Sequence, residues 1–134
     1  MDCIFCRIVK GEVGNKVYED SLFIAVMDVN PISRGHMLVV PKEHAEQLTD
    51  LSDAYLGGAL LVIKQIVSKV GTIDQYNILQ NNGHLQSVKH VHFHIIPWNA
   101  EDEEGLLVNW TRSRVSAEEI RLLGDSIKQT FQDK

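Results

Sequence analysis

The chemistry-bearing residues of this chain concentrate in His90-Val91-His92-Phe93-His94-Ile95-Ile96-Pro97, where imidazole and apolar side chains alternate. A period of two belongs to a strand with two unlike faces. Val91, Phe93 and Ile95 then face a core. His90, His92 and His94 line the opposite face, with neighbours about 6–7 Å apart. Pro97 lacks an N–H and is expected to stop the ladder. Solvated strand faces ordinarily carry Thr, Lys, Glu or Ser, so three imidazoles in register point to function. Metal ligation is one use of such a row, because His at i and i+2 can share an ion. Nucleophilic catalysis is the other, in which one neutral imidazole attacks while its neighbours orient it and manage protons.

Other candidate groups are scattered along the chain. Cys3-x-x-Cys6 reads either as half of a metal site or as two small buried residues one helical turn apart. Asp28 reads as a turn-former before Asn30-Pro31 or as a carboxylate for a sugar diol. His36 and His44 say little alone. Asn81, Gln86 and Ser87 deliver amides and a hydroxyl just before the histidine row. The acidic run Glu101-Asp102-Glu103-Glu104 reads as a solvated loop.

These groups need elements to position them. Asp2 is a candidate cap for a short helix running to about Val9 and ending near Gly11. Strands are expected over 16–19, 22–29, 35–41 and 76–79, with a helical region opening after Lys42. Ser52 caps the longest expected helix, over 52–70, where Leu56, Ala59, Leu60, Ile63, Ile66, Val67 and Val70 recur at helical spacing. Gly57-Gly58 inside it hints at close packing, and Gly71 ends it. Asn82-Gly83 favours a tight turn. Ser116-Ala117-Glu118-Glu119 is a capping box opening a C-terminal helix to about Phe131.

The 134 residues are 44% hydrophobic and 23% charged, with a net charge of −5. This composition suits a single globular domain over 1–134 and argues against a nucleic-acid-coating surface. No apolar run is long enough to span a bilayer, and the first residues read as no signal peptide. Two cysteines without a leader suggest a reducing compartment, hence a cytoplasmic or nuclear location.

With the row and its context in hand, the sequence resembles the histidine triad family of nucleotide hydrolases and transferases. The signature His-φ-His-φ-His-φ-φ is matched by His90 through Ile96. Cys3-Ile4-Phe5-Cys6 with Lys10-Gly11-Glu12 resembles the zinc-bearing members. Asp28, Pro31, Gly35-His36, Pro41-Lys42-x-His44, Asn81-x-Gly83 and Gln86-x-Val88 fall where the family has counterparts. There are two departures. Only His84-Leu85 separates the Asn-x-Gly turn from Gln86, where the family has a longer loop with Gly just before the Gln. Trp98 stands where the family often has Arg.

The resemblance implies an α+β fold with a mainly antiparallel sheet of about five strands. It also implies a two-fold homodimer, here through the long helix and the strand at Tyr76. It further implies cleavage at the α-phosphorus of a purine nucleotide, with His92 attacking to form a nucleotidyl-histidine that water then hydrolyses. His94 and His36 would donate to phosphate oxygens. Ser87 and Gln86 would orient the scissile phosphate and assist the leaving group. Asp28 would hold ribose hydroxyls and Asn81 the phosphate–sugar region. Cys3, Cys6, His44 and His90 would bind one structural zinc. Two competing readings are a zinc metallohydrolase using the three histidines as catalytic ligands, and a non-catalytic nucleotide-binding or scaffolding module.

Overall fold

The structure, a computed structural model, describes residues 2–132. Five antiparallel strands, β1 (Lys16–Glu19), β2 (Phe23–Met27), β3 (Met37–Pro41), β4 (Tyr76–Leu79) and β5 (Phe93–Pro97), form one sheet in the order β1-β2-β3-β5-β4. Helices α1 (Ile4–Val9), α2 (Asp53–Val70) and α3 (Ala117–Gln132) complete the α+β architecture.

The central strands are buried on both faces, which is why they read as continuous apolar runs. One face packs against α2: Phe23, Ala25, Met37, Val39, Phe93 and Ile95 join Ala59, Val62, Ile63 and Ile66 in one core. The other packs against α1: Ile24, Val26, Leu38 and Val40 join Cys3, Phe5 and Ile8. His94 is paired with Leu38 and so belongs to the α1 face. Gly58 lies beside the Phe23 ring, which a Cβ there would meet in ordinary contact at 3.4 Å. Gly57 has no such neighbour.

Several boundaries differ from the sequence expectation. The histidine strand begins only at Phe93, because the Val91 N–H donates to the Ala45 carbonyl (2.8 Å) instead of entering the ladder. The end of β5 is as expected: Pro97, opposite Tyr76, is its last residue, and one further bond runs from the Trp98 N–H to the Gln75 carbonyl. Cys3, not Asp2, caps α1, its Sγ accepting from the Cys6 N–H. The β2 strand starts after Asp20, whose carboxylate accepts from the N–H groups of Leu22 and Phe23. After Lys42 there is no helix until a single 3-10 turn at Leu48–Asp50. The capping box at Ser116 is present, with Glu119 N–H donating to Ser116 Oγ at 3.1 Å.

Candidate active site and metal centre

The row of histidines serves two different sites. At its start, His90 is fully buried, and its Nε2–H donates to the Pro41 carbonyl at 2.8 Å. Burial holds its pKa below the ordinary value, so the ring is neutral and Nδ1 carries a lone pair. That Nδ1 lies 3.4 Å from Cys3 Sγ, 3.6 Å from Cys6 Sγ and 3.1 Å from His44 Nδ1. Cys6 Sγ is in turn 3.3 Å from His44 Nδ1. A tetrahedral Cys₂His₂ zinc has ligand–ligand edges of about 3.3–3.8 Å, given Zn–N of ~2.0–2.1 Å and Zn–S of ~2.3 Å. Four donors from α1, the 42–47 loop and the approach to β5 are therefore gathered close to the size of such a polyhedron. The bond from His90 to the Pro41 carbonyl is the outer-shell support that ligating imidazoles ordinarily have. Burial and the neighbouring Cys3 raise the Cys6 thiol pKa, the condition a cation would relieve.

Two residues on, the same logic leaves a neutral imidazole with a free lone pair. His92 Nδ1–H donates to the His90 carbonyl at 2.8 Å. Burial lowers the pKa of His92, so the ring is neutral and its Nε2 lone pair is free. Phe5 meets the ring edge-on, with centroids 4.9 Å apart. His94 is half-buried beside it, ring centroids 5.0 Å apart, and burial with the neighbouring His92 and His36 pushes its pKa down to about 4.

His36 is buried, and its Nδ1 accepts from the Ile32 N–H at 3.0 Å. Burial lowers its pKa, so the neutral ring must carry its proton on Nε2. That N–H reaches His94 Nδ1 at 2.9 Å and lies 3.4 Å from Asp28 Oδ2. His94 therefore accepts at Nδ1 and presents Nε2–H as a donor.

Asp28, His36 and His94 also form a cluster of metal-ligand type, but the hydrogen bonding opposes that use. His36 cannot offer a lone pair at Nε2 while Nδ1 accepts from Ile32, unless it becomes an imidazolate. Neither metal-type cluster among the described residues contains His92 or combines His90 with His94. The three histidines thus do not converge on one ion, which removes the structural basis for a triad-liganded metallohydrolase.

The residues before the row are placed unevenly. Ser87 is exposed and makes no hydrogen bond among the described residues, so its hydroxyl is available. Asn81 Nδ2 donates to the Leu85 carbonyl. Gln86, expected at the phosphate, is turned inward. Its Nε2 donates to the carbonyls of Glu46 and Val88, and its Oε1 accepts from the Gly83 N–H. The Gln86 amide thus ties the loop at Gly83 to the carbonyls of Glu46 and Val88. Leu85 before it takes φ +64, a left-handed conformation that favours glycine. Sequence reasoning missed Phe5, the Pro41 carbonyl and the Ile32 N–H. Backbone groups have no residue-type signature, and a lone Phe between two cysteines reads as core.

The fold, the row of histidines and the relatives it matches place the chain among nucleotide-cleaving hydrolases. The description "HIT domain" matches residues 11–101. The chain is 46% identical over 130 residues to an adenosine 5'-monophosphoramidase of Schizosaccharomyces pombe, covering 95% of this chain and 96% of that protein. A histidine triad nucleotide-binding protein from Candida albicans superposes with a TM-score of 0.86 at 33% identity, covering 98% of each chain. A zinc-bound histidine triad family protein from Mycobacterium smegmatis superposes with a TM-score of 0.71 at 33% identity, over 100% of this chain and 99% of that one. The chain belongs to the HIT domain family.

Proposed function

We propose that this protein hydrolyses purine nucleotide phosphoramidates, and related acyl or dinucleoside phosphates, at the α-phosphorus through a nucleotidyl-His92 intermediate. The observation that carries this reading is the hydrogen bond from His92 Nδ1–H to the His90 carbonyl, which leaves Nε2 unprotonated for attack. A neutral imidazole suits an anionic phosphate, because no second anion has to approach it. The P–N or P–O bond to the leaving group breaks as the P–Nε2 bond forms. Water then displaces His92 and releases the nucleoside monophosphate. His94, holding its Nδ1 against His36, donates Nε2–H to a phosphate oxygen where charge accumulates. Ser87 assists the leaving group, Asp28 takes the ribose hydroxyls, and Asn81 borders the sugar and phosphate. The names of the curated relatives support the substrate class.

Cys3, Cys6, His44 and His90 would hold a structural zinc that ties α1 to the sheet, in keeping with the donor geometry and the zinc-bound neighbour. The zinc would take no part in attack on phosphorus. A two-fold dimer is also part of the proposal. Leu60 and Leu61 on α2 are 63% and 67% exposed, and edge strand β4 presents Tyr76 and Ile78. A self-complementary contact would cover them. The paired free thiols suit a reducing, cytoplasmic or nuclear setting, and among the described residues no helix is long and apolar enough to cross a membrane.

Turnover of adenosine 5'-phosphoramidate tests the assignment. His92→Asn should lower it by roughly 10³-fold, within the usual range for losing a key catalytic side chain, while nucleotide binding persists. Near-wild-type turnover in that variant, or a trapped adduct on His94, would overturn the assignment.

A further inference from the structure

Among the described residues, Leu85 is the one apolar side chain carried on a left-handed backbone. The other positive φ values belong to glycines and to Glu103, a polar residue of the acidic loop. In that region a Cβ crowds the following carbonyl, and a bulky residue is held there at a cost. The fold gains nothing in return. Leu85 is 74% exposed and belongs to neither hydrophobic cluster of the sheet. Glycine would make the same turn without the crowding. Strain that the fold does not use gathers at active sites and ligand clamps.

The turn that carries Leu85 is well anchored. The Gln86 N–H donates to the Gly83 carbonyl at 3.1 Å, and the Gln86 side chain is tied to the carbonyls of Glu46 and Val88. Asn81 Nδ2 donates to the Leu85 carbonyl itself at 3.3 Å. Ser87, with its available hydroxyl, is two residues further on. Leu85 therefore stands between the residue proposed to border the sugar and phosphate and the residue proposed to assist the leaving group.

We propose that Leu85 is a specificity-determining residue for the leaving group. Its side chain packs against the hydrocarbon substituent of an amine displaced from phosphorus, so phosphoramidates of alkyl or aralkyl amines are preferred over the unsubstituted phosphoramidate. Resting on the hydrolysis proposed above, this contact narrows its substrate class. Ammonia as leaving group has no carbon with which to cover Leu85, whereas a substituted amine removes both its own apolar surface and that of the leucine from water. No step is added: the P–N bond to the amine breaks as the P–Nε2 bond forms, and the amine departs with its substituent.

The test uses the full chain and two substrates, adenosine 5'-phosphoramidate and its N-phenethyl derivative, and reads the ratio of their kcat/KM values. A ratio taken on one preparation cancels any unfolded fraction. Leu85→Gly and Leu85→Asn should each lower the preference for the phenethyl substrate about tenfold, the scale of losing a small apolar contact. Asparagine tolerates the left-handed backbone, so it removes the apolar surface without loosening the turn. Leu85→Met keeps volume and apolar character and should hold the ratio near the native value. A ratio unchanged in the glycine and asparagine variants, or lowered as far by methionine as by glycine, overturns the proposal. Leu85→Gly should also unfold no earlier in urea; an earlier midpoint would give the side chain a structural use and remove the ground for the proposal. The two readings fail separately. Absence of turnover of both substrates by the native chain defeats the hydrolysis and the contact together, whereas turnover with a ratio indifferent to Leu85 defeats the contact alone.

Discussion

At the scale of single residues, protons are placed by backbone groups the sequence does not advertise. The Pro41 carbonyl fixes the tautomer of His90, the His90 carbonyl that of His92, and the Ile32 N–H that of His36. Three imidazoles of one type are thereby set in different states: His90 and His92 keep a lone pair at Nδ1 and Nε2 respectively, and His36 offers an N–H at Nε2 to His94. His36→Asn should lower kcat by about 10- to 100-fold with little change in KM, since the loss of a buried hydrogen bond costs ~1–3 kcal/mol. An unaltered kcat would show that His94 needs no partner at Nδ1. Leu85 is a separate case. Its φ of +64 costs ~1–2 kcal/mol, of which Gly recovers all but the ~0.4–1 kcal/mol of added unfolded-chain entropy. Leu85→Gly should therefore raise the denaturation midpoint slightly, and a clear decrease in urea would show the strain is not there. The residue types of the site were legible from spacing. The inward turn of Gln86 was not, because its partners Glu46 and Val88 are fixed only when two loops meet.

At the scale of elements, α1 connects the two sites. It carries Cys3 and Cys6 and, between them, Phe5, whose ring lies edge-on to both His90 and His92 at centroid distances of 5.8 and 4.9 Å. Loosening α1 therefore frees the His92 ring as well as the Cys3 and Cys6 thiols. Protein purified without chelator should hold near-stoichiometric zinc, and less than about 0.2 per chain would count decisively against the site, given the tight binding typical of such ligand sets. Chelation should lower the melting temperature, with activity falling as the fold loosens. Phe5→Leu should separate the two effects: zinc content stays, while kcat drops because the His92 ring loses its packing partner. Should zinc and kcat both be unchanged, the ring contact has no positioning role. The alternation of residues 90–97 gave the correct faces, because side-chain direction persists where the ladder is absent. It misplaced the strand start, because where Val91 sends its N–H depends on Ala45, far away in sequence. Helix α2 was legible nearly to the residue from its spacing and Gly71.

For the molecule as a whole, burial of imidazoles ties stability to pH. His36, His90, His92 and His94 all have pKa values lowered by burial, His94 to about 4. In the unfolded chain each titrates near ~6.5. Below that pH the unfolded state binds more protons than the folded one, so the free energy of unfolding falls as pH falls. Above it both states are neutral and these groups contribute no slope. The loss should therefore begin near pH 6.5 and continue toward the folded value of His94, about 4. Carboxylates act lower: Glu19, its pKa lowered by Lys42 and Lys16, loses its contribution only as pH drops below the ordinary carboxylate value. A bound zinc would steepen the decline, since acid competes for His44, His90 and both thiolates. The two contributions separate in a Cys3→Ser/Cys6→Ser variant, which retains His36, His92 and His94 but lacks the thiolate ligands. Its melting temperature should still fall between pH 6.5 and 4.5, less steeply than that of the native chain. A melting temperature constant across that range in the variant would mean that the three imidazoles take up protons in the folded state without cost, and the neutral-imidazole mechanism would lose its physical basis with them.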